Sequence, residues 1–274
     1  MGQIVGGFAT SHVLFSPDGV EAEAERVLLG MKEIRNRLQA LEPDLLVIVS
    51  SDHANNFTLR QQVTLAVGVA DEYVPLGDMG IAQTPFRGNR NFGESLARYA
   101  SACGFDLVQV EEVRPDHGVA LTKLAVDPTD RIPTVPLYIN CNMPVPPSPA
   151  RSFALGEVLR KMVGKVRPST ERVVVVGSGG LSHWLRVPGQ GRIAADFDQR
   201  FMKTMIEGRS DELARISTEA LEDETGNGGL ELTAWLLMAG ALGRAVGEII
   251  YYEPIAKWNT GMGGLQLFAS PDGQ

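Results

Sequence analysis

His12, His53, His117 and His183 are the four histidines of this 274-residue chain. Each follows, by a few positions, a short run of β-branched and aliphatic residues. His12 follows residues 4–8, His53 follows 45–50, and His117 follows 107–113. His183 follows 173–176 across the turn Gly177-Ser178-Gly179-Gly180. Such runs read as strands, and in open α/β sheets ligands bind beyond the strand C-termini. If these strands run parallel, the four imidazoles surround one crevice. Taken singly, a histidine after a strand is an ordinary loop or partly buried residue. The whole complement in one topological position points to a site.

A carboxylate joins them. The segment from Gly228 to Met238 reads as a glycine-led apolar helix, on which Glu231 shares a face with Trp235 and Met238. A carboxylate buried there without a partner is costly. A bound cation or a helix N-terminus offsets that cost, and an ordinary first-turn glutamate is the alternative. Two histidines plus one carboxylate, with coordination positions open, is the facial set of non-haem Fe(II) oxygenases. Zinc hydrolases use the same ligand types. Two histidines would remain for proton transfer near neutral pH. Ligand types therefore specify a metal enzyme and leave the metal open.

The elements that must position these groups alternate. Strands are expected at residues 4–8, 45–50, 63–69, 107–113, 134–139, 173–176, 249–252 and 265–268. Helices are expected at 20–41, 92–102, 152–166, 194–206 and 211–217. The runs Leu45-Leu46-Val47-Ile48-Val49 and Val173-Val174-Val175-Val176 lack polar alternation, as strands buried on both faces do. This order implies an α/β layered domain, its mostly parallel or mixed central sheet flanked by helices and its active site at the strand C-terminal edge. No repeat or apolar-poor linker interrupts it, so residues 1–274 are expected to form one catalytic domain. The proline-rich stretch 143–149 suits an extended connection, and the polar tail 269–274 is expected to fray.

At these residues the sequence resembles the class III extradiol ring-cleavage dioxygenases, particularly the catalytic subunit of protocatechuate 4,5-dioxygenase and related catechol dioxygenases. The matching segments are Thr10-Ser11-His12, Ser51-Asp52-His53, Asp116-His117-Gly118, the glycine-rich run Gly177 to His183, and Gly229-Leu230-Glu231-Leu232. Weaker similarity covers 136–142, 152–156 and 251–264, so the likeness runs in order over nearly the whole chain. The resemblance implies that His12, His53 and Glu231 hold Fe(II), with His117 and His183 as acid–base residues. It implies that a catechol-type ring binds the iron, that both atoms of O2 are inserted, and that the ring opens beside the diol. His183 is favoured as the base and His117 as the acid, an assignment open to exchange. Ser182, Asp52 and Asp116 are candidate residues for orienting the imidazoles. Two-subunit members of the family use a small helical partner. Either a separate small subunit exists here or the chain works without one, and a homo-oligomer is expected. Arg114, Arg186 and Lys257 are either substrate-carboxylate partners or solvated surface charges. Catechols, gallate-like triols, aminophenols and hydroxypyridones all fit as substrates.

Other classes fit less well. In a dinucleotide fingerprint beginning at Gly177 the third glycine falls at Ser182, and Gly180-Leu181-Ser182-His183-Trp184 breaks a serine-hydrolase elbow at its last position. A net charge of −8 disfavours nucleic acid and membrane partners. Cys103 and Cys141 are too few for a disulfide scaffold and read as reduced thiols. No apolar run nears the ~20 residues of a membrane span, and a cytoplasmic location is expected. The remaining rivals are a zinc-dependent hydrolase on the same ligands and a binding protein that has lost catalysis.

Overall fold

The aliphatic runs without polar alternation become the middle of one sheet. The computed structural model describes residues 1–269; the tail expected to fray lies, from residue 270 on, outside the described residues. The chain begins with β1 (Gln3–Thr10), α1 (Glu21–Ala40), β2 (Leu45–Ser50) and β3 (Leu65–Gly68). A small hairpin of β4 (Glu72–Tyr73) and β5 (Phe86–Arg87) leads to α2 (Arg90–Ala102) and β6 (Val108–Val110). Then come α3 (His117–Val126), β7 (Thr134–Ile139), α4 (Pro149–Val166) and β8 (Arg172–Ser178). The last part holds α5 (Ala195–Ile206), α6 (Ser210–Leu213), α7 (Thr218–Thr225), α8 (Leu232–Leu242), β9 (Gly247–Ile255) and β10 (Thr260–Phe268). Among the described residues no helix is long and apolar enough to cross a membrane.

Eight strands form a mixed sheet in the order β6-β3-β7-β2-β8-β1-β10-β9. β7, β2, β8 and β1 run parallel, while β10 and β9 continue antiparallel. Alternate residues of the central strands enter different layers. Leu45, Val47, Val173 and Val175 pack with Leu96 of α2, Leu159 of α4 and Trp235 of α8. Leu46, Ile48, Val174 and Val176 pack with Val27 and Ile34 of α1 and Val119 of α3. Both faces are dry, which is why neither strand alternates with polar residues.

The structure departs from the sequence pattern in several places. β3 runs antiparallel to β7 and β6 runs parallel to β3, so β6 opposes the central four strands. His117 is therefore not delivered by the end of a parallel strand. It opens α3, a helix the pattern did not predict, capped where Asp116 accepts the Gly118 N–H at 3.1 Å. Gly118 lets this helix start seat against β2, since a Cβ there would lie 2.4 Å from Ser50 Oγ. The helix expected at 211–217 stops at Leu213, because the Ser217 hydroxyl accepts the Ala220 N–H and starts α7. The stretch 143–149 does connect β7 to α4, ending at the Ser148 cap with Pro149 in the first turn.

Candidate active site

β1, β2 and β8 are parallel, and their C-terminal ends lead to His12, His53 and His183. The first turn of α3 adds His117. Glu231 closes a 3-10 turn, Gly228–Glu231, immediately ahead of α8 and not within one continuous glycine-led helix. All five side chains line a single cavity of about 660 Å³. The ring centroids of His12 lie 5.1 Å from His53 and 5.2 Å from His117, and those of His53 and His117 are 4.1 Å apart. His12, His53 and His117 each offer a ligand atom within 4.8 Å of the others. His183 lines the cavity apart from this trio. Its ring fills the space beside Gly228, where a Cβ would lie 2.1 Å from its Cδ2 and Nε2.

Hydrogen bonds fix the tautomer of every ring. His53 Nδ1 donates to Asp116 Oδ2 at 3.0 Å, His117 Nδ1 to Asp78 Oδ2 at 2.5 Å, and His183 Nδ1 to the Leu181 carbonyl at 2.7 Å. Ser178 Oγ donates its single proton to the Gly118 carbonyl at 2.6 Å, so it accepts from His12 Nδ1 at 2.9 Å and from Thr122 Oγ1 at 2.8 Å. Nδ1 carries a proton in each case, leaving Nε2 for chemistry.

Two of these Nε2 atoms meet a buried anion. Glu231 Oε1 lies 3.0 Å from His53 Nε2, and Oε2 lies 3.7 Å from His12 Nε2. Oε2 also accepts the Gly180 N–H at 2.6 Å. Burial alone would push the Glu231 carboxyl up, but the imidazoles of His12 and His53 hold it well below the usual carboxylate range. Burial drives His12 down to about 3, so its ring is neutral. His53 is also disfavoured as a cation by burial, yet its bonds to Asp116 and Glu231 raise it to about 10. Asp116 is held low, its burial cost outweighed by His53. Among the described residues His12 Nε2 is buried with no hydrogen-bond partner. An orphaned nitrogen, a second imidazole and a buried carboxylate converging in this way suit a cation. The donor set thus fits a metal ion.

Residues 7–263 match the family described as the catalytic LigB subunit of aromatic ring-opening dioxygenase. The chain belongs to the LigB family. The resemblance read from the sequence is borne out, and with it the activity of an extradiol aromatic ring-opening dioxygenase using an aromatic substrate and O2. A 2,3-dihydroxyphenylpropionate/2,3-dihydroxicinnamic acid 1,2-dioxygenase of Burkholderia vietnamiensis is 26% identical, covering 93% of each chain. The protein of that name from Photorhabdus laumondii is 24% identical over 88% of this LigB chain and 90% of its own length. The crystal structure of an uncharacterized protein from Escherichia coli K12 shares the fold, with a TM-score of 0.59 at 20% identity over 96% of this chain and 99% of the other.

The candidate orienting residues divide. Asp116 holds the His53 ring directly. Asp52 instead accepts the N–H groups of Asn55, Asn56 and Phe57 and shapes the loop around His53. Ser182 is tied to Asp198 through its hydroxyl at 2.8 Å and its N–H at 2.9 Å. Asp78 and Ser178, which the sequence reading did not single out, hold His117 and His12. Ser178 lay within the glycine-rich run, while Asp78 follows Gly77 in a segment without motif. Arg114 donates to the Pro75 and Leu76 carbonyls, and Lys257 is taken up by the Asp18 carbonyl. Of the three candidate anchors, only Arg186 lines the LigB cavity.

Proposed function

We propose that His12, His53 and Glu231 hold Fe(II) and that His183 and His117 move protons to and from a catechol-type substrate. The observation that carries this reading is the convergence of His12 Nε2 and His53 Nε2 on the two oxygens of buried Glu231. Bound there, Fe(II) would supply the centre at which the diol and O2 meet. The chain's own groups do the rest. His183, with its Nδ1 proton committed to a neutral carbonyl, presents an Nε2 lone pair and takes a phenolic proton. His117, held by Asp78, presents Nε2 on the side of His53 and returns a proton as the ring opens.

The relatives named above act, by their names, on catechols with a three-carbon acid side chain, so such compounds head the substrate list. Aminophenols, hydroxypyridones and gallate-like triols follow. The reading takes residues 1–274 as one catalytic domain in a cytoplasmic homo-oligomer, with a separate small subunit as an optional partner.

Anaerobic reconstitution with Fe(II), followed by O2-electrode assays, tests it. Iron with catechol-dependent O2 uptake is the expected result. Glu231→Ala or His53→Ala should lose iron and turnover together. His183→Ala and His117→Ala should keep iron and slow turnover by about 10²–10⁴. Zinc retained with O2-independent ester or amide hydrolysis would overturn the reading, and loss of iron from His183→Ala would overturn the division of roles.

A further inference from the structure

Arg186 stands three residues beyond His183, on the loop that also brings Leu185 and Gln190 to the cavity wall. It is exposed, and among the described residues it has no carboxylate partner. Among the described residues no other lysine or arginine lines the cavity. Its backbone is in the left-handed region at φ 57°, which a non-glycine residue adopts only when its surroundings impose it. Those surroundings are specific. The Leu185 N–H donates to Asn227 Oδ1 at 2.9 Å, and Asn227 Nδ2 donates back to the Leu185 carbonyl at 3.1 Å. The Arg186 N–H donates to Gln190 Oε1 at 3.2 Å. The loop is therefore clamped at Leu185 and Arg186 by two residues that themselves line the cavity.

We propose that Arg186 determines specificity by pairing with an anionic substituent on the aromatic ring. The proposal rests on the ring-opening function given above. With the diol at the His12, His53, His183 and Glu231 end, a flexible acid chain on the ring extends toward the exposed part of the cavity, where Arg186 lies. The net charge of −8 opposes an approaching anion, and an unpaired guanidinium at the opening reverses that locally. A planar guanidinium also matches a carboxylate in two parallel hydrogen bonds. The apolar wall, including Val13, Phe15 and Met262, accommodates the ring itself.

The test is a ratio of kcat/KM values for a dihydroxyphenylpropionate and its methyl ester, with the iron-loaded enzyme. The enzyme should favour the acid by roughly tenfold or more, chiefly through KM. Arg186→Gln should bring the ratio near one. Arg186→Glu should turn the preference toward a catechol bearing an amine. Calorimetry of phenylpropionate against phenylpropionamide on the metal-free protein gives a readout independent of turnover. The acid should bind more tightly, and Arg186→Gln should remove the difference. A ratio and a calorimetric difference that Arg186→Gln leaves in place would overturn the proposal, as would an enzyme that treats acid and ester alike. If neither ring is opened, the ring-opening reading fails, and calorimetry still decides whether Arg186 reads charge.

Discussion

His117 and His53 have nearly the same arrangement, an Nδ1 proton given to a carboxylate and an Nε2 turned inward, yet different tasks are proposed for them. The difference lies in what faces Nε2. For His53 it is Glu231, whereas among the described residues His117 Nε2 makes no hydrogen bond. Asp78 sets only the direction of the His117 ring, so Asp78→Ala should lower kcat by about 10–100-fold while iron content stays whole. Full kcat in that variant would remove Asp78 from the machinery. His53 also predicts a pH dependence. Raised to about 10 in the metal-free protein, it keeps its proton through neutral pH. Because the ligand form is neutral, each metal ion bound must release that proton. Metal affinity should rise about tenfold per pH unit between about 6.5 and 8.5, with near one proton released per ion. A flat profile in anaerobic titrations would contradict this account of His53.

Elements rather than single residues bring the site together. Three parallel strands end on one edge, α3 starts against the end of β2, and the 3-10 turn before α8 inserts Glu231 beneath the His183 loop. Contact between that turn and that loop leaves no room for a side chain at Gly228. Gly228→Ala should displace the His183 ring and reduce turnover by at least about 10². The double variant with His183→Ala should be no slower than His183→Ala alone, because both changes remove the same group. Further slowing in the double variant would mean that Gly228 serves something other than His183.

Across the whole molecule the proposed ligands tie together positions 12, 53 and 231, so metal binding and global stability should be linked. Metal at a hundredfold excess over Kd should add about 2.7 kcal/mol, seen as a rise of about 5 °C in Tm by calorimetry. Glu231→Ala should show no metal-dependent rise. An equal rise in both proteins would place the metal elsewhere.

The sequence alone determined the layered α/β class, the central strands and the identity of the chemical groups. Central strands buried on both faces must be uniformly aliphatic, and scarce histidines clustered beyond strand ends leave a one-dimensional trace. Asp116 was legible as a neighbour of His117, although the ring it holds is that of His53. Tertiary structure decided what depends on pairing across distance. The reversed direction of β6 comes from its bonds to β3, and no local pattern encodes strand direction. The service of Asp78 to His117 and of Ser178 to His12 likewise arises only when separate segments meet. So does the exposure of Arg186 to the cavity while Arg114 and Lys257 are spent on backbone carbonyls, because hydrogen-bond partners are chosen in space.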